Sequence, residues 1–123
     1  MRAQLAHLAV AVAAAAITVG AATPERAEAA LPKLRGTVGP GFTIQLKQGT
    51  KRVTKLRAAT YLLVVSDRSP IHDFHVSGPG LNEVVTAVSS VGTKTIKIKL
   101  KDGTFRYVCD PHRTLMHGRF TVS

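Results

Sequence analysis

In TKTIKIKLK, residues 93–101, Ile96, Ile98 and Leu100 alternate with Lys97, Lys99 and Lys101. A period of two puts every apolar side chain on one face of an extended chain and every ammonium on the other, the pattern of a half-buried β-strand. Short β-rich runs recur along the chain: FTIQL (42–46), KRVTKL (51–56), TYLLVVS (60–66), IHDFHV (71–76), TFRYVC (104–109) and RFTVS (119–123). Turn chemistry separates them, in SDRSP, SGPGLN and KDG. TYLLVVS, apolar almost throughout, reads as a central strand. NEVVTAV (82–88) fits either strand or loop, and LPKLRGTVGPG (31–41) reads as a Gly- and Pro-punctuated, partly loose lead-in. Seven or eight short strands at regular spacing, with no convincing helix after residue 30, predict an all-β chain folded as an antiparallel sandwich or barrel.

The first 29 residues follow a different rule. One Arg beside the amino terminus, an Ala- and Val-rich stretch, a polar segment and then Ala27-Glu28-Ala29 have the order of a secretory signal, with cleavage expected after Ala29. A retained membrane anchor is disfavoured because an alanine core gains little from lipid and no stop-transfer cluster follows. The absence of cysteine near the cut excludes a lipid-modified terminus. The expectation is one exported domain over residues 30–123, in a periplasm or outside the cell, without stable membrane insertion after cleavage.

Arg2 and Arg26 balance Glu25 and Glu28, so the domain keeps the whole formal charge of +10. Such a domain is suited to anionic polymers or an acidic protein partner. Nucleic acid is disfavoured by export and by only six aromatic residues, too few for stacking platforms. A monomer that meets a redox partner with an acidic docking surface is the expected association.

YVCDPHRTLMHG, residues 107–118, holds the only cysteine. A single thiol forms no internal disulfide, and in an oxidising compartment it survives when deeply buried or when ligated. Cys109 ends a strand, and Pro111 holds Asp110 extended, so the loop leaves in a defined direction. Tied at both ends by strands, it can turn Cys109, His112 and Met116 toward one point. Thiolate, imidazole and thioether together suit copper, whose two oxidation states favour soft sulfur and imidazole respectively; zinc would recruit more Cys, His or carboxylate. A further histidine must come from elsewhere. His72 and His75 point to opposite faces of a regular strand, and spacing does not choose between them. The competing readings are a buried structural Cys109, Met116 as a plug for the end of the sandwich, His117 as a rival ligand, and His72 or His75 as a core histidine.

SPIHDFHVSGPG followed by GTFRYVCDPHRTLMHGRFTV resembles the cupredoxins, the plastocyanin and azurin type of small blue copper protein. The resemblance spans about two-thirds of the domain, from TYLLVVS to the C-terminus. It implies a Greek-key β-sandwich and one type 1 copper ion. The family's first histidine ligand stands directly before an Asn; His72-Asp73 matches that slot, which implies His72, Cys109, His112 and Met116 as the metal ligands. Asp73 departs from the pattern. An ionised carboxylate only accepts hydrogen bonds, so Asp73 is expected to accept a loop N–H or to pair with Arg113. Asp73→Asn is expected to raise the reduction potential of the copper-loaded protein, because removing negative charge disfavours Cu(II); voltammetry showing an unchanged or lower value contradicts this.

Mixed ligands hold copper between the preferences of its two states, so little rearranges on electron transfer. No acid, base or nucleophile set accompanies the motif, which predicts an electron carrier and not an enzyme. The ring of His112 is the implied route out, within an apolar patch assigned to Pro111, Leu115 and Pro79. The alternatives are a copper storage, delivery or sensing module with the same ligands and a metal-free structural sandwich.

Overall fold

The computed structural model describes residues 9–20 and 30–123; the expected cleavage point after Ala29 lies outside the described residues. Ten strands run through the domain: β1 (Lys33–Val38), β2 (Ile44–Gln48), β3 (Lys51–Arg52), β4 (Lys55–Leu56), β5 (Ala59–Asp67), β6 (Phe74–Gly78), β7 (Leu81–Thr86), β8 (Gly92–Leu100), β9 (Gly103–Val108) and β10 (His117–Val122). Eight of them have five residues or more, matching the expected number, and β3 and β4 are two-residue additions. Among the described residues the one helical element is a 3₁₀ turn at Asp110–His112, inside the loop between β9 and β10.

The strands form two five-stranded sheets, ordered β3-β2-β1-β5-β8 and β4-β10-β9-β6-β7. The chain crosses between sheets after β3, β4, β5, β7 and β8, which builds the expected β-sandwich. Both sheets are mixed, however: β1 pairs with β5 and β4 with β10 in parallel, where an antiparallel arrangement was expected. Period-two burial is clear in β1, β5 and β10, where buried residues alternate with more exposed ones. Leu34, Leu46, Leu63, Val65 and Ile98 of one sheet meet Phe74, Val76, Phe105, Tyr107 and Phe120 of the other in a single core. Phe74 stacks on Tyr107 and Phe105 on Phe120, with centroids 5.8 and 5.4 Å apart.

Two segments depart from the sequence reading. The lead-in at 31–41 contains β1, an interior strand between β2 and β5 with Leu34 and Val38 fully buried. Its Gly36 is not a breaker: a Cβ there would come within 2.9 Å of the Phe74 ring, so glycine lets the aromatic lie against the backbone. KRVTKL is not one strand. Its first two residues join one sheet and Lys55–Leu56 the other, with buried Val53 between them.

These connections place the site. β5 returns toward β6 through residues 68–73, and β9 runs antiparallel to β6 with His75 opposite Val108. The start of β6 and the end of β9 therefore lie at one pole, where both stretches rich in metal donors meet.

Candidate metal centre

His72 lies two residues before β6, in a run where His72, Asp73 and Phe74 are all buried. Strand parity does not govern it, which is why spacing could not separate it from His75. Its Nε2–H donates to the Gly41 carbonyl at 2.7 Å, and this bond leaves Nδ1 as the lone-pair nitrogen. Cys109 follows β9 and is fully buried.

The loop after Cys109 is closed by its own backbone. The Cys109 N–H donates to the Met116 carbonyl, and the N–H groups of Leu115 and Met116 both donate to the carbonyl of His112. His112 is thereby fixed half-buried at the pole, and Met116 is fully buried at the loop's end.

Three donor atoms converge. Cys109 Sγ lies 3.6 Å from His72 Nδ1 and 3.5 Å from His112 Nδ1, and the two nitrogens are 3.0 Å apart. A circle through a triangle with these sides has a radius of about 2.0 Å. Metal–imidazole bonds are about 2.0–2.1 Å and metal–thiolate bonds about 2.3 Å, so one ion at the centre is within bonding reach of all three atoms. Among the described residues, these are the only three His, Cys or carboxylate side chains grouped closely enough to hold a metal. A thiol and two imidazole nitrogens facing one point are an arrangement a cation can occupy, with the Nδ1 proton that one ring shares with the other displaced on binding.

Burial pushes the Cys109 thiol above its usual range. Metal uptake must therefore displace a proton, and affinity should rise with pH.

Asp73 accepts the backbone N–H of Asp110 at 2.6 Å, the first of the two partners expected for it. Arg113 pairs instead with Asp110, at 2.8 Å. Burial, then the neighbouring Asp110 carboxyl, raises Asp73 from 3.8 to about 6. Burial would also raise Asp110, but hydrogen bonding with Asp73, His75 and Arg113 holds it below the usual carboxylate range. The proton of this carboxyl pair thus belongs to Asp73.

A folded-state value above the unfolded one favours folding below pH 3.8, and that contribution is lost as pH rises through about 6. Asp73→Asn removes this term and keeps an acceptor oxygen for the Asp110 N–H. Relative to the parent, the metal-free variant should therefore gain stability between pH 4 and 7, by about 1–3 kcal/mol. Urea denaturation of both proteins in chelator checks this; a difference that does not change with pH contradicts it.

His75 is not part of the triangle. Its Nδ1 is 2.9 Å from Asp110 Oδ2 and its Nε2 bonds Asn82 Oδ1, and the bond to Asn82, followed by Asp110, raises the imidazole above its usual value. His75 is a brace for the carboxylate that follows Cys109. His117 begins β10 as an exposed residue.

The sequence reading missed Phe42. Its ring packs edge-on against both His72 and His112, with centroids 5.6 and 4.9 Å away, and it remains 55% exposed. Within FTIQL it looks like any strand residue; only a contact between sheets reveals its role. With Ile71 and Leu115, also exposed, it gives the pole an apolar surface around His112. Pro79 is not part of that surface, because it packs near Gly103 at the opposite end of β9.

Comparison with known proteins bears on the fold. No protein-family model matches the chain, and no curated protein matches it. Solved structures do. Rusticyanin from Thiobacillus ferrooxidans superposes with a TM-score of 0.55 at 20% identity, over 74% of this chain and 76% of that one. Reduced rusticyanin gives 0.54 at 22% identity, over 74% and 78%. A further rusticyanin structure, described as that of a copper protein, gives 0.54 at 20%, over 74% and 76%.

Proposed function

The chain has a cupredoxin fold, and on that premise we propose that it is an exported small blue copper protein carrying single electrons, with His72, Cys109, His112 and Met116 as ligands of one type 1 copper. The observation that carries this reading is the metal-sized triangle of one sulfur and two nitrogens at the pole of that fold. Copper, when bound, supplies a one-electron Cu(II)/Cu(I) couple; a thiolate with two imidazoles and a thioether is the donor set that suits both states.

The chain's own residues account for the rest. Gly41 fixes the tautomer and tilt of His72, and Asp73 ties the start of the Cys109 loop to the segment bearing His72. The loop's internal hydrogen bonds hold His112 and Met116 in place. Ligands held this firmly change position little with charge, which keeps reorganisation small. His72, Cys109 and Met116 are each no more than 1% exposed, leaving the half-buried His112 as the group nearest solvent. Three of the four proposed ligands being buried, this reading favours electron transfer over catalysis at the metal.

The Phe42, Ile71 and Leu115 surface suits close approach of a second redox protein, and the positive charge suits an acidic one. In this reading the protein works as a monomer outside the cytoplasm, with residues 1–29 removed. No described helix is long and apolar enough to cross a membrane.

Voltammetry of the copper-loaded protein is the test. A reversible one-electron wave with fast exchange is expected. Preference for zinc, with no wave, would point instead to a structural or metal-handling module.

A further inference from the structure

The outward face of β6, β9 and β10 carries an arrangement that copper binding does not use. Across these strands, His75, Val108 and His117 form one outward row, and Ser77, Arg106 and Arg119 form the next. Arg106 and Arg119 are thus directly opposed neighbours on adjacent strands, both exposed. Like charges in that position destabilise a sheet. Neither has a carboxylate partner among the described residues.

Two adjoining depressions open on this face. One is lined by His75, Arg106, Arg113 and His117, and the other by Arg52, Arg106, His117 and Arg119. The basic side chains that line these two depressions, histidines aside, are all arginines, Arg52, Arg106, Arg113 and Arg119, with no lysine among them. Guanidinium groups match carboxylates with two parallel hydrogen bonds, which a lysine ammonium does not offer.

We propose that this arginine face is the docking surface for an acidic patch, rich in Asp and Glu, on a protein partner. The proposal deepens the electron-transfer reading and rests on it for the partner's redox role. Two observations favour a protein over another polyanion. A third depression joins Arg52 and His117 to the exposed Phe42 and Leu115, so the cationic face continues into the apolar surface beside His112. A charged flank beside an apolar centre has the make-up of a protein interface. Arg113 also connects the two parts, since it lines the arginine face and holds Asp110 next to Cys109. A carboxylate cluster seated on the arginines would bring the partner's neighbouring surface over His112.

The test is a titration of metal-free full chain with a ten-residue glutamate peptide, followed by two-dimensional amide NMR. Shift changes are expected to concentrate in β9, β10 and residues 110–117. R106Q/R119Q should weaken binding tenfold or more, while K33Q/K99Q, with the same charge change on the other sheet, should weaken it less than threefold. Equal losses in the two variants would overturn the proposal, because net charge alone would then explain binding. A ten-nucleotide oligothymidylate bound more tightly on the same face would overturn the protein assignment. As no metal is present, a negative copper titration alongside a positive peptide map would sink the electron-transfer reading and leave the acidic docking surface standing.

Discussion

Replacing Gly118 with alanine is expected to lower the stability of the domain by about 3 kcal/mol or more, a large share of the 5–15 kcal/mol typical of a small fold. Gly118 sits in β10 directly opposite Tyr107, and a Cβ at 118 would overlap the Tyr107 ring at Cζ and Oη. The ring has no room to retreat. It is fully buried, stacked on Phe74 with the planes 4° apart, and tilted against Phe120 at 6.5 Å. Its hydroxyl has no hydrogen-bond partner, so it gains nothing that would offset a shift. The thermal midpoint of Gly118→Ala should fall by roughly 12–24 °C, from the usual 4–8 °C per kcal/mol in domains of this size. Trimming the ring in a Gly118→Ala/Tyr107→Leu double variant should recover part of what Gly118→Ala loses, beyond the sum of the two single changes. A fall of less than about 3 °C in Gly118→Ala would mean that the sheets separate there more easily than this packing allows.

Cys109→Ser is expected to separate metal binding from folding. Serine fits the volume, and its hydroxyl sits where His72 Nδ1 and His112 Nδ1 now lie 3.6 and 3.5 Å from Sγ, so hydrogen bonds to an imidazole replace the thiol's contacts. The metal-free variant should unfold within about 1–2 kcal/mol of the parent. Copper binding should drop at least about 100-fold, because an alcohol stays protonated where a metal-assisted thiol ionises. The intense thiolate-to-copper absorption expected of the parent should vanish with it. If the variant keeps both the colour and the affinity, Cys109 is a packing residue and the ligands lie elsewhere.

What could be read from the chain depended on how local the determining contacts are. Cys109, His112 and Met116 stand in one short loop between two strands, so their grouping was visible as a spacing. The resemblance, and not the spacing, distinguishes His72 from His75, since the two lie three residues apart in the same apparent strand. The start of β6 at Phe74 explains the difficulty, because His72 belongs to the connection before the strand, while His75 turns outward to Asp110 and Asn82. Phe42 and the Gly41 carbonyl reach the site from the other sheet and leave no local trace. β1 was obscured for a related reason: Gly36 reads as punctuation until the Phe74 ring above it is known. Alternation within strands was legible, and parallel pairing between strands distant in sequence was not.

X-ray absorption at the copper edge of the full chain loaded with one equivalent of metal addresses the ligand set directly. The expected result is one short copper–sulfur distance with two imidazole nitrogens, and loss of the sulfur shell in Cys109→Ser. A shell of oxygen and nitrogen alone, or one unchanged by removal of the thiol or of the His72 imidazole, would contradict a copper centre built on Cys109, His72 and His112.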